Sequence, residues 1–382
     1  MTYFGLTDMQ LIELGAQWTA REIAQQPQAW TRVLAVAQRS PQVERLLALK
    51  DLRILLTGAG SSAYIGECLA PAILRRTDRR VDAVPTTDLV SGPRRYFQRG
   101  VPTLMVSFAR SGSSPESVAA VRMADEFIDD CYHLVLTCNQ EGDLYRYASM
   151  CPNAEVILMP SETHDRSFAM TSSFTSLLLT AARIFDVIDA VPPFTDPPHA
   201  IGASDVLSRG PHFIQGLAEV DFQRVIYVGS NELKGLAREG ALKLLELTDG
   251  RVVASFDSSL GFRHGPKTII NERTLIVLFM SNDLYTRQYD MDLLQELRAE
   301  GKAGRVVALS AKTEGVDVER GDFVVQGLAE ANDLETALAF AVFAQLLAMF
   351  HSLQLHLTPD SPSVSGTVNR VVRGVKIYAT HS

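Results

Sequence analysis

The sequence predicts an α/β protein with two similar halves, each a five-stranded parallel sheet flanked by helices. A short apolar run begins at Arg53 and recurs at Arg224, and another begins at Thr103 and recurs at Thr274, in both cases 171 residues later. Helix-length amphipathic segments follow these runs, as in the βαβ units of a parallel sheet. The shared offset indicates two tandem copies of one doubly wound, flavodoxin-like unit rather than a solenoid, whose repeats span about 20–50 residues.

The strands are predicted, in chain order, from the short apolar runs that precede these amphipathic segments. In the first copy they span 53–58, 81–85, 103–108, 133–137 and 155–159. In the second copy they span 224–228, 251–255, 274–280, 304–309 and 322–326. A long helical stretch closes each copy, at 171–188 and at 334–353.

The chain is predicted to divide where its composition changes. Residues 1–45 are expected to form an amphipathic helical cap, 46–190 the first domain and 201–357 the second domain. The linker, 191–200, contains four prolines, which oppose both helix and strand. Residues 358–382 are expected to be a tail that wraps the body and contributes to the functional site.

Composition and charge exclude several classes of function. The 382 residues are 46% apolar and 21% charged, and the net charge of −8 gives no basic field to attract nucleic acid or an anionic membrane. The purely apolar stretches are shorter than the ~20 residues of a membrane span, and the N-terminus lacks a secretory signal pattern. Cys68, Cys131, Cys138 and Cys151 show neither CxxC nor metal-ligand spacing, so we expect reduced thiols in a cytoplasmic protein. Neither a metal nor a cofactor is predicted.

The turn after the first strand, Gly58–Ala63, has the sequence GAGSSA and offers the hydroxyls of Ser61 and Ser62. Open parallel sheets bind ligands at this edge, beyond the carboxyl ends of their strands. The turn formally matches a dinucleotide-binding pattern, but the strand 81–85 does not end in the acidic residue that would hold a ribose. We therefore expect a site for a single phosphate group rather than for a dinucleotide.

A second hydroxyl-rich turn follows the strand 103–108 and opens a helix at Pro115. It carries one arginine and three serines, namely Arg110, Ser111, Ser113 and Ser114. Free N–H groups at a helix N-terminus and serine hydroxyls together suit a phosphomonoester. Solvated serines that cap a helix would give the same pattern, so this segment alone leaves both interpretations open.

Acid–base chemistry is predicted for the second copy. Glu239, Lys243 and Glu246 fall on one face of a helix, where two carboxylates and a cation could act on a carbonyl substrate. A solvated i,i+4 ion pair is the alternative interpretation of this face. His264 lies in a loop flanked by glycines and a proline, which favours a general acid or base over a core residue.

Four segments of the chain resemble the tandem sugar-isomerase (SIS) domains in the isomerase half of glucosamine-6-phosphate synthase. They are Gly58–Ser62, Ser111–Glu116, Glu239–Glu246 and Phe262–Pro266. Four others are similar to the AgaS-type galactosamine-6-phosphate deaminases/isomerases, often labelled tagatose-6-phosphate ketose/aldose isomerases. These are Pro85–Val90, Glu162–Ser173, Tyr285–Asp290 and Ser365–Val372. The resemblance covers essentially the whole chain.

The resemblance implies a role for each matching residue. Ser61, Ser62, Ser111 and Ser114 match positions that hold the sugar phosphate, and Thr171 lies in a segment that lines the same pocket. Glu246 matches the base that moves a proton between C2 and C1, with Glu239 and Lys243 beside it. His264 matches a ring-opening histidine that reaches the site from another subunit, which implies a homodimer or larger homo-oligomer with shared active sites.

The chain also departs from the synthase in ways that bear on the reaction. Arg110 replaces a glutamine, as an extra phosphate cation or an ion-pair partner, and Asn369–Arg373 lacks the lysine that forms a Schiff base in the synthase. A glutamine-hydrolysing domain is absent, which favours release of ammonia over its use. The expected reaction converts D-galactosamine 6-phosphate to D-tagatose 6-phosphate and ammonia. The alternatives are aldose–ketose isomerisation of a hexose 6-phosphate without deamination and, in another class, a non-catalytic sugar-phosphate sensor.

Overall fold

Two parallel five-stranded sheets form the framework of the computed structural model, which describes residues 2–189, 195–366, 368–372 and 374–380. A short N-terminal hairpin precedes them, formed by β1 (Thr2–Tyr3) and β2 (Leu6–Thr7). The first sheet contains β3 (Arg53–Thr57), β4 (Arg80–Ala83), β5 (Thr103–Ala109), β6 (Cys131–Thr137) and β7 (Ala154–Leu158). The second contains β8 (Arg224–Gly229), β9 (Val253–Asp257), β10 (Thr274–Phe279), β11 (Arg305–Ser310) and β12 (Phe323–Val324).

Helices flank both sheets and also form most of the N-terminal region. Those before and within the first half are α1 (Asp8–Glu13), α2 (Gln17–Ala24), α3 (Gln26–Val36), α4 (Pro41–Leu47), α5 (Ser61–Thr77), α6 (Thr86–Ser91), α7 (Pro93–Tyr96), α8 (Pro115–Phe127), α9 (Asp143–Ala148) and α10 (Ser172–Ile184). Those of the second half are α11 (Pro198–Ala218), α12 (Glu232–Leu247), α13 (Ser259–Phe262), α14 (Leu284–Glu300) and α15 (Asp333–Gln354).

The two sheets have the same topology, which confirms the predicted α/β fold with two doubly wound halves. Their strand orders are β4-β3-β5-β6-β7 and β9-β8-β10-β11-β12. When the strands of each half are numbered along the chain, both sheets have the spatial order 2-1-3-4-5, the flavodoxin-like arrangement. The central pairs share a register as well, because Arg53 pairs with Thr103 and Arg224 with Thr274. The internal repeat is therefore a repeat of structure.

The predicted elements differ from the observed ones mainly at their ends. β9 begins at Val253 rather than at 251, because a turn after α12, in which the Arg251 N–H donates to the Thr248 carbonyl at 3.0 Å, precedes it. The helix predicted over 171–188 ends at Ile184, and Asp186 adopts φ of 51°, which a helix does not tolerate. α11 already begins at Pro198, within the predicted linker, of which 191–194 lie outside the described residues. The domain division itself stays a prediction.

α15 is the central helix of the core. It is long and apolar enough to cross a membrane by length and composition, but 94% of its apolar window is buried inside the protein. It packs against α11 and α12. Burial on all sides explains why it carries no polar face.

The two halves meet closely where α5 and α12 pack against each other. A Cβ atom added to Gly235 in α12 would lie 2.6 Å from the backbone nitrogen of Cys68 in α5. Beside this contact the Arg238 guanidinium pairs with the Glu67 carboxylate and covers the Tyr64 ring at 4.5 Å. Each of these two helices follows the first strand of its own sheet, so their contact brings the ligand-binding edges of the two halves together.

Gly235→Ala tests this contact. We expect the variant to lose about 1–3 kcal/mol of unfolding free energy, because backbone atoms of α5 must move to admit the methyl group. Gly216→Ala in α11 is the matched control: it meets open space, and alanine in a helix is favoured over glycine by up to about 1 kcal/mol. Chemical denaturation measures both. Equal stabilities for the two variants would contradict the close approach.

Candidate active site

A cavity of about 220 Å³ lies at the carboxyl ends of β3 and β5. β4 lies on one side of β3 and β5 on the other, so the order of the strands reverses between β3 and β5. Open α/β sheets bind ligands at such a switch point. The turns after both strands, the end of α12 and the C-terminal tail line it. The polar and charged residues that line it are Ser61, Ser62, Arg110, Ser111, Ser114, Ser117, Glu246, Asn369 and Arg370.

The turn between β3 and α5 presents the N-terminus of α5 to this cavity. A side chain on Gly58 would collide with the Ser62 backbone at 2.6 Å, so this position requires glycine, and Gly60 adopts φ of 57°, which favours glycine. Ser61 and Ser62 follow directly and are buried, with the Ser62 hydroxyl 3.6 Å from the Met170 sulfur. The sharp turn thus places Ser61 and Ser62 in the lining of the cavity, at the start of α5.

The turn after β5 forms the opposite wall and is held from outside the cavity. The Asn139 amide donates to the Ser111 carbonyl at 2.8 Å, and Gly142 packs so closely that a Cβ atom there would lie 2.5 Å from that same oxygen. The Ser114 and Ser117 hydroxyls are 2.5 Å apart. Ser113 lies outside the cavity lining, so of the three predicted serines of this turn two face the cavity.

Arg110 places a positive charge in the wall of the cavity while its guanidinium is fixed by backbone carbonyls. It is 7% exposed and donates to the Phe168 carbonyl at 2.9 Å and to the Arg370 carbonyl at 2.8 Å. No carboxylate forms an ion pair with it in the described part of the chain. Among the described residues Arg110 is thus not an ion-pair partner, and its role as a phosphate cation stays a prediction.

The predicted cluster on α12 is assembled as one connected group. The Lys243 ammonium lies 3.4 Å from a Glu239 carboxylate oxygen and donates a hydrogen bond to Glu246. Glu239 and Lys243 are buried, whereas Glu246 is part of the cavity wall. The face is thus not the solvated ion pair of the alternative interpretation, and Glu246 is its member that a ligand can touch.

Burial tunes the charges of this cluster. It raises the pKa of Glu239 to about 7, with Lys243 opposing and Glu246 adding to the rise. Burial also disfavours the charge on Lys243, but the two carboxylates outweigh it and raise the pKa of the ammonium group. A carboxyl group that titrates near neutral pH beside a fixed cation is typical of sites that move protons.

Thr171 lies behind the cavity and not in its lining. It is fully buried and donates from its backbone nitrogen and its hydroxyl to the two oxygens of Asp165, at 2.8 and 3.0 Å. Asp165 also accepts from the N–H groups of Ser172 and Ser173 and so caps α10. Thr171 is thereby placed where it orders the 165–171 loop, whose Phe168 and Met170 line the cavity.

His264 is exposed and lies outside the cavity of its own chain. It belongs to the loop after α13, in which Gly265 has φ of 117°. The loop is tied to α14 by Arg263, which lies 2.8 Å from the Glu296 carboxylate, and by Lys267. These ion pairs hold the loop against α14, and the exposed His264 side chain is accessible to a second molecule.

The second half has an equivalent cavity, of about 430 Å³, with different chemistry. Asn231 has φ of 51° and ψ of −119°, close to the 57° and −130° of Gly60, so the turn before the helix is repeated. At the shared offset of 171, however, Glu232 replaces Ser61 and Ser281 replaces Arg110. A buried carboxylate therefore occupies the position that Ser61 holds in the lining of the first cavity.

The tail, 358–382, was expected to contribute to the site, but its residues 368–372 in the cavity lining were not singled out from the sequence, nor were Phe168 and Met170. Both segments belong to motifs noted above, at 162–173 and 365–372, but their residue types carry no chemistry that would mark them as a wall. Their place depends on contacts with residues about 200 positions away, such as the bond from the Arg370 Nε to the Ser167 carbonyl at 3.2 Å.

Comparisons with known proteins agree with this architecture. The SIS domain family model matches residues 46–184. The D-galactosamine-6-phosphate deaminase AgaS of Escherichia coli is 45% identical over 367 residues, covering 94% of this chain and 95% of that protein. The crystal structure of tagatose-6-phosphate ketose/aldose isomerase from Escherichia coli has 41% identity and a TM-score of 0.85, covering 95% of this chain and 97% of its own. The C-terminal domain of glucosamine-fructose-6-phosphate aminotransferase from Francisella tularensis, at 18% identity, TM-score 0.74 and coverage of 90% and 98%, shares the fold.

The buried Glu22 beneath the 165–171 loop makes stability depend on pH. Burial, reinforced by Asp165, raises its pKa from 4.5 to about 8. The folded protein therefore keeps a proton that the unfolded chain releases above pH ~4.5, so this contribution to stability is complete below that pH and is lost as the pH rises through about 8.

Glu22→Gln, which stays neutral, is expected to lessen the fall in unfolding free energy between these pH values, a fall of up to about 1.4 kcal/mol per pH unit. Urea denaturation at a series of pH values measures the difference. The exposed Glu13→Gln is the control and should follow the wild-type curve. A Glu22→Gln curve parallel to the wild type would disprove the raised pKa.

Proposed function

Because this chain belongs to the AgaS family of tandem SIS-domain proteins, we propose that it is an enzyme that deaminates D-galactosamine 6-phosphate to D-tagatose 6-phosphate and ammonia. The observation that carries the proposal is that the serine-rich turns of the first half and Glu246, which belongs to the Glu239–Lys243–Glu246 cluster of the second half, line the same cavity.

The phosphate group is proposed to bind at the N-terminus of α5, against Ser61, Ser62, Ser111 and Ser114. Helix N–H groups and the Arg110 charge both favour a dianion there. The second cavity supplies a contrast within the molecule, because its lining has more acidic than basic side chains and would oppose the same group. The acidic residues are Glu232, Asp283, Glu330 and Asp333, and the basic ones are Arg75 and Lys312. One phosphate per chain, in the first half, follows from this asymmetry.

The chemistry is proposed to begin with ring opening by His264 of a partner subunit, which moves the proton of the C1 hydroxyl to the ring oxygen. Glu246 then removes the C2 proton of the open aldehyde and returns it to C1. The product is a 2-imine, and water replaces its nitrogen to give the ketose and ammonia. Lys243, held between the two carboxylates, is placed to stabilise the negative charge that develops on the enaminol oxygen.

Aldose–ketose isomerisation is a second candidate, favoured by the name of the solved Escherichia coli relative. The same residues would carry it, since proton transfer between C2 and C1 is common to both reactions. The two differ in the fate of the nitrogen, which only the deaminase releases.

An ammonia assay with galactosamine 6-phosphate tests the proposal, together with the exchange of the C2 proton for solvent deuterium. Glu246→Gln is expected to lower kcat for ammonia release about 10²–10⁴-fold, because the amide cannot accept a proton. Glu232→Gln, a buried carboxylate of the other cavity, is the matched control and should keep wild-type activity. Ketose formation from an aldose without ammonia would favour the isomerase, and full activity of Glu246→Gln would remove this residue from the mechanism.

Sharing of the active site between subunits is also part of the proposal, and it requires at least a dimer. It is supported by the exposed position of His264 outside its own chain's cavity. A cytoplasmic location and the division into a cap (1–45), two domains (46–190 and 201–357), a linker and a tail are proposed with it.

Mixing two inactive variants, Glu246→Gln and His264→Ala, tests the shared site. In an isologous dimer, random exchange makes about half of the dimers mixed, each with one intact site, so about a quarter of wild-type activity should return. Native mass spectrometry verifies the exchange. If subunits exchange and activity stays absent, His264 does not act across the interface.

A further inference from the structure

Two guanidinium groups, those of Arg110 and Arg370, line the cavity without a counter-ion. Arg110 is buried, and Arg370 donates through Nε to the Ser167 carbonyl at 3.2 Å and through Nη2 to the Asp165 carbonyl. Neither forms an ion pair with a carboxylate in the described part of the chain. Elsewhere, the buried Arg53 is paired with Asp82 at 2.6 Å, whereas the buried Arg287, like Arg110, donates to backbone carbonyls.

The two carboxylates that act electrostatically on Arg370, Asp165 and Glu22, are already engaged. Asp165 is occupied by the N–H groups at the start of α10, and Glu22 by the backbone and hydroxyl of Ser167. With a pKa near 8, Glu22 is also largely uncharged at neutral pH. Burial and the neighbouring charge of Arg110 both lower the pKa of Arg370. The two guanidinium groups therefore repel each other. An anion between the two groups removes that cost.

The geometry points to Arg370, on the C-terminal tail, as a second phosphate-binding cation, so that the bound phosphate and the tail hold each other in place. The inference rests on the proposed phosphate site and adds a residue and a consequence to it. The cavity wall and the tail are also linked directly, because the Arg110 guanidinium donates to the backbone carbonyl of Arg370 at 2.8 Å. An anion that draws the two side chains together thereby presses residues 368–372 onto the cavity.

The test compares the affinities of Arg370→Met and wild type for inorganic phosphate, tagatose 6-phosphate and unphosphorylated tagatose, by calorimetry. We expect the variant to bind both phosphorylated ligands at least tenfold more weakly, while any affinity for tagatose is unchanged. Arg370→Lys, which keeps the charge and loses the planar fork, should fall between the two. Lys376→Met removes an exposed charge from the same tail, beside Tyr378, and should bind as wild type does.

Hydrogen exchange of the intact protein tests the second part of the inference, that bound phosphate holds the tail in place. Phosphate should slow exchange within 368–372 in wild type and not in Arg370→Met. Equal phosphate affinity in the two proteins, or an equal loss for tagatose and its phosphate, would overturn the inference, since a structural role alone weakens both ligands. Failure of the proposed deaminase is distinguished separately: ammonia release would be absent in wild type while phosphate binding still depended on Arg370.

Discussion

The packing of α5 against α12 is the constraint on which the site depends. At Gly235 the backbones approach to a distance that admits no side chain, and this fixes how far each helix extends past the other. The N-terminus of α5 and the end of α12 therefore line one cavity, although more residues separate Ser62 from Glu246 than either predicted domain contains. Small residues at a helix crossing give up side-chain packing but allow a closer approach, which here joins the proposed anion site to the proposed acid–base cluster.

The two halves share one backbone arrangement but differ in the side chains that line their cavities. The two sheets repeat strand order and register, and even the positive φ of Gly60 recurs at Asn231. Backbone geometry is set by sterics that both copies share. Charge is set by single side chains, so the exchange of Ser61 for Glu232 at the repeated position puts a carboxylate where the first turn has a hydroxyl. In the proposed mechanism one copy binds the anion and the other supplies the helix that reacts with it.

Buried charges organise the remaining wall of the cavity. Asp165 gathers the N–H groups of Thr171, Ser172 and Ser173, and Glu22 does the same for the segment before them. Loop backbone without regular structure must find such acceptors when it is buried. The loop ordered in this way offers its own carbonyls to Arg110 and Arg370, which is how the C-terminal tail reaches the cavity.

By itself the sequence determined the α/β class, the tandem repeat, nearly every strand and the residue types of the chemistry, because apolar periodicity and turn glycines are local signals. It placed Glu239, Lys243 and Glu246 on one face correctly, since helical spacing alone decides that. Only the tertiary structure decided that Glu246 lines the cavity whereas Glu239 is buried, that Thr171 serves Asp165, and that His264 faces outward. It also brought Arg370 to Arg110. These are contacts between residues distant in the chain, and no local pattern encodes which buried surfaces will meet.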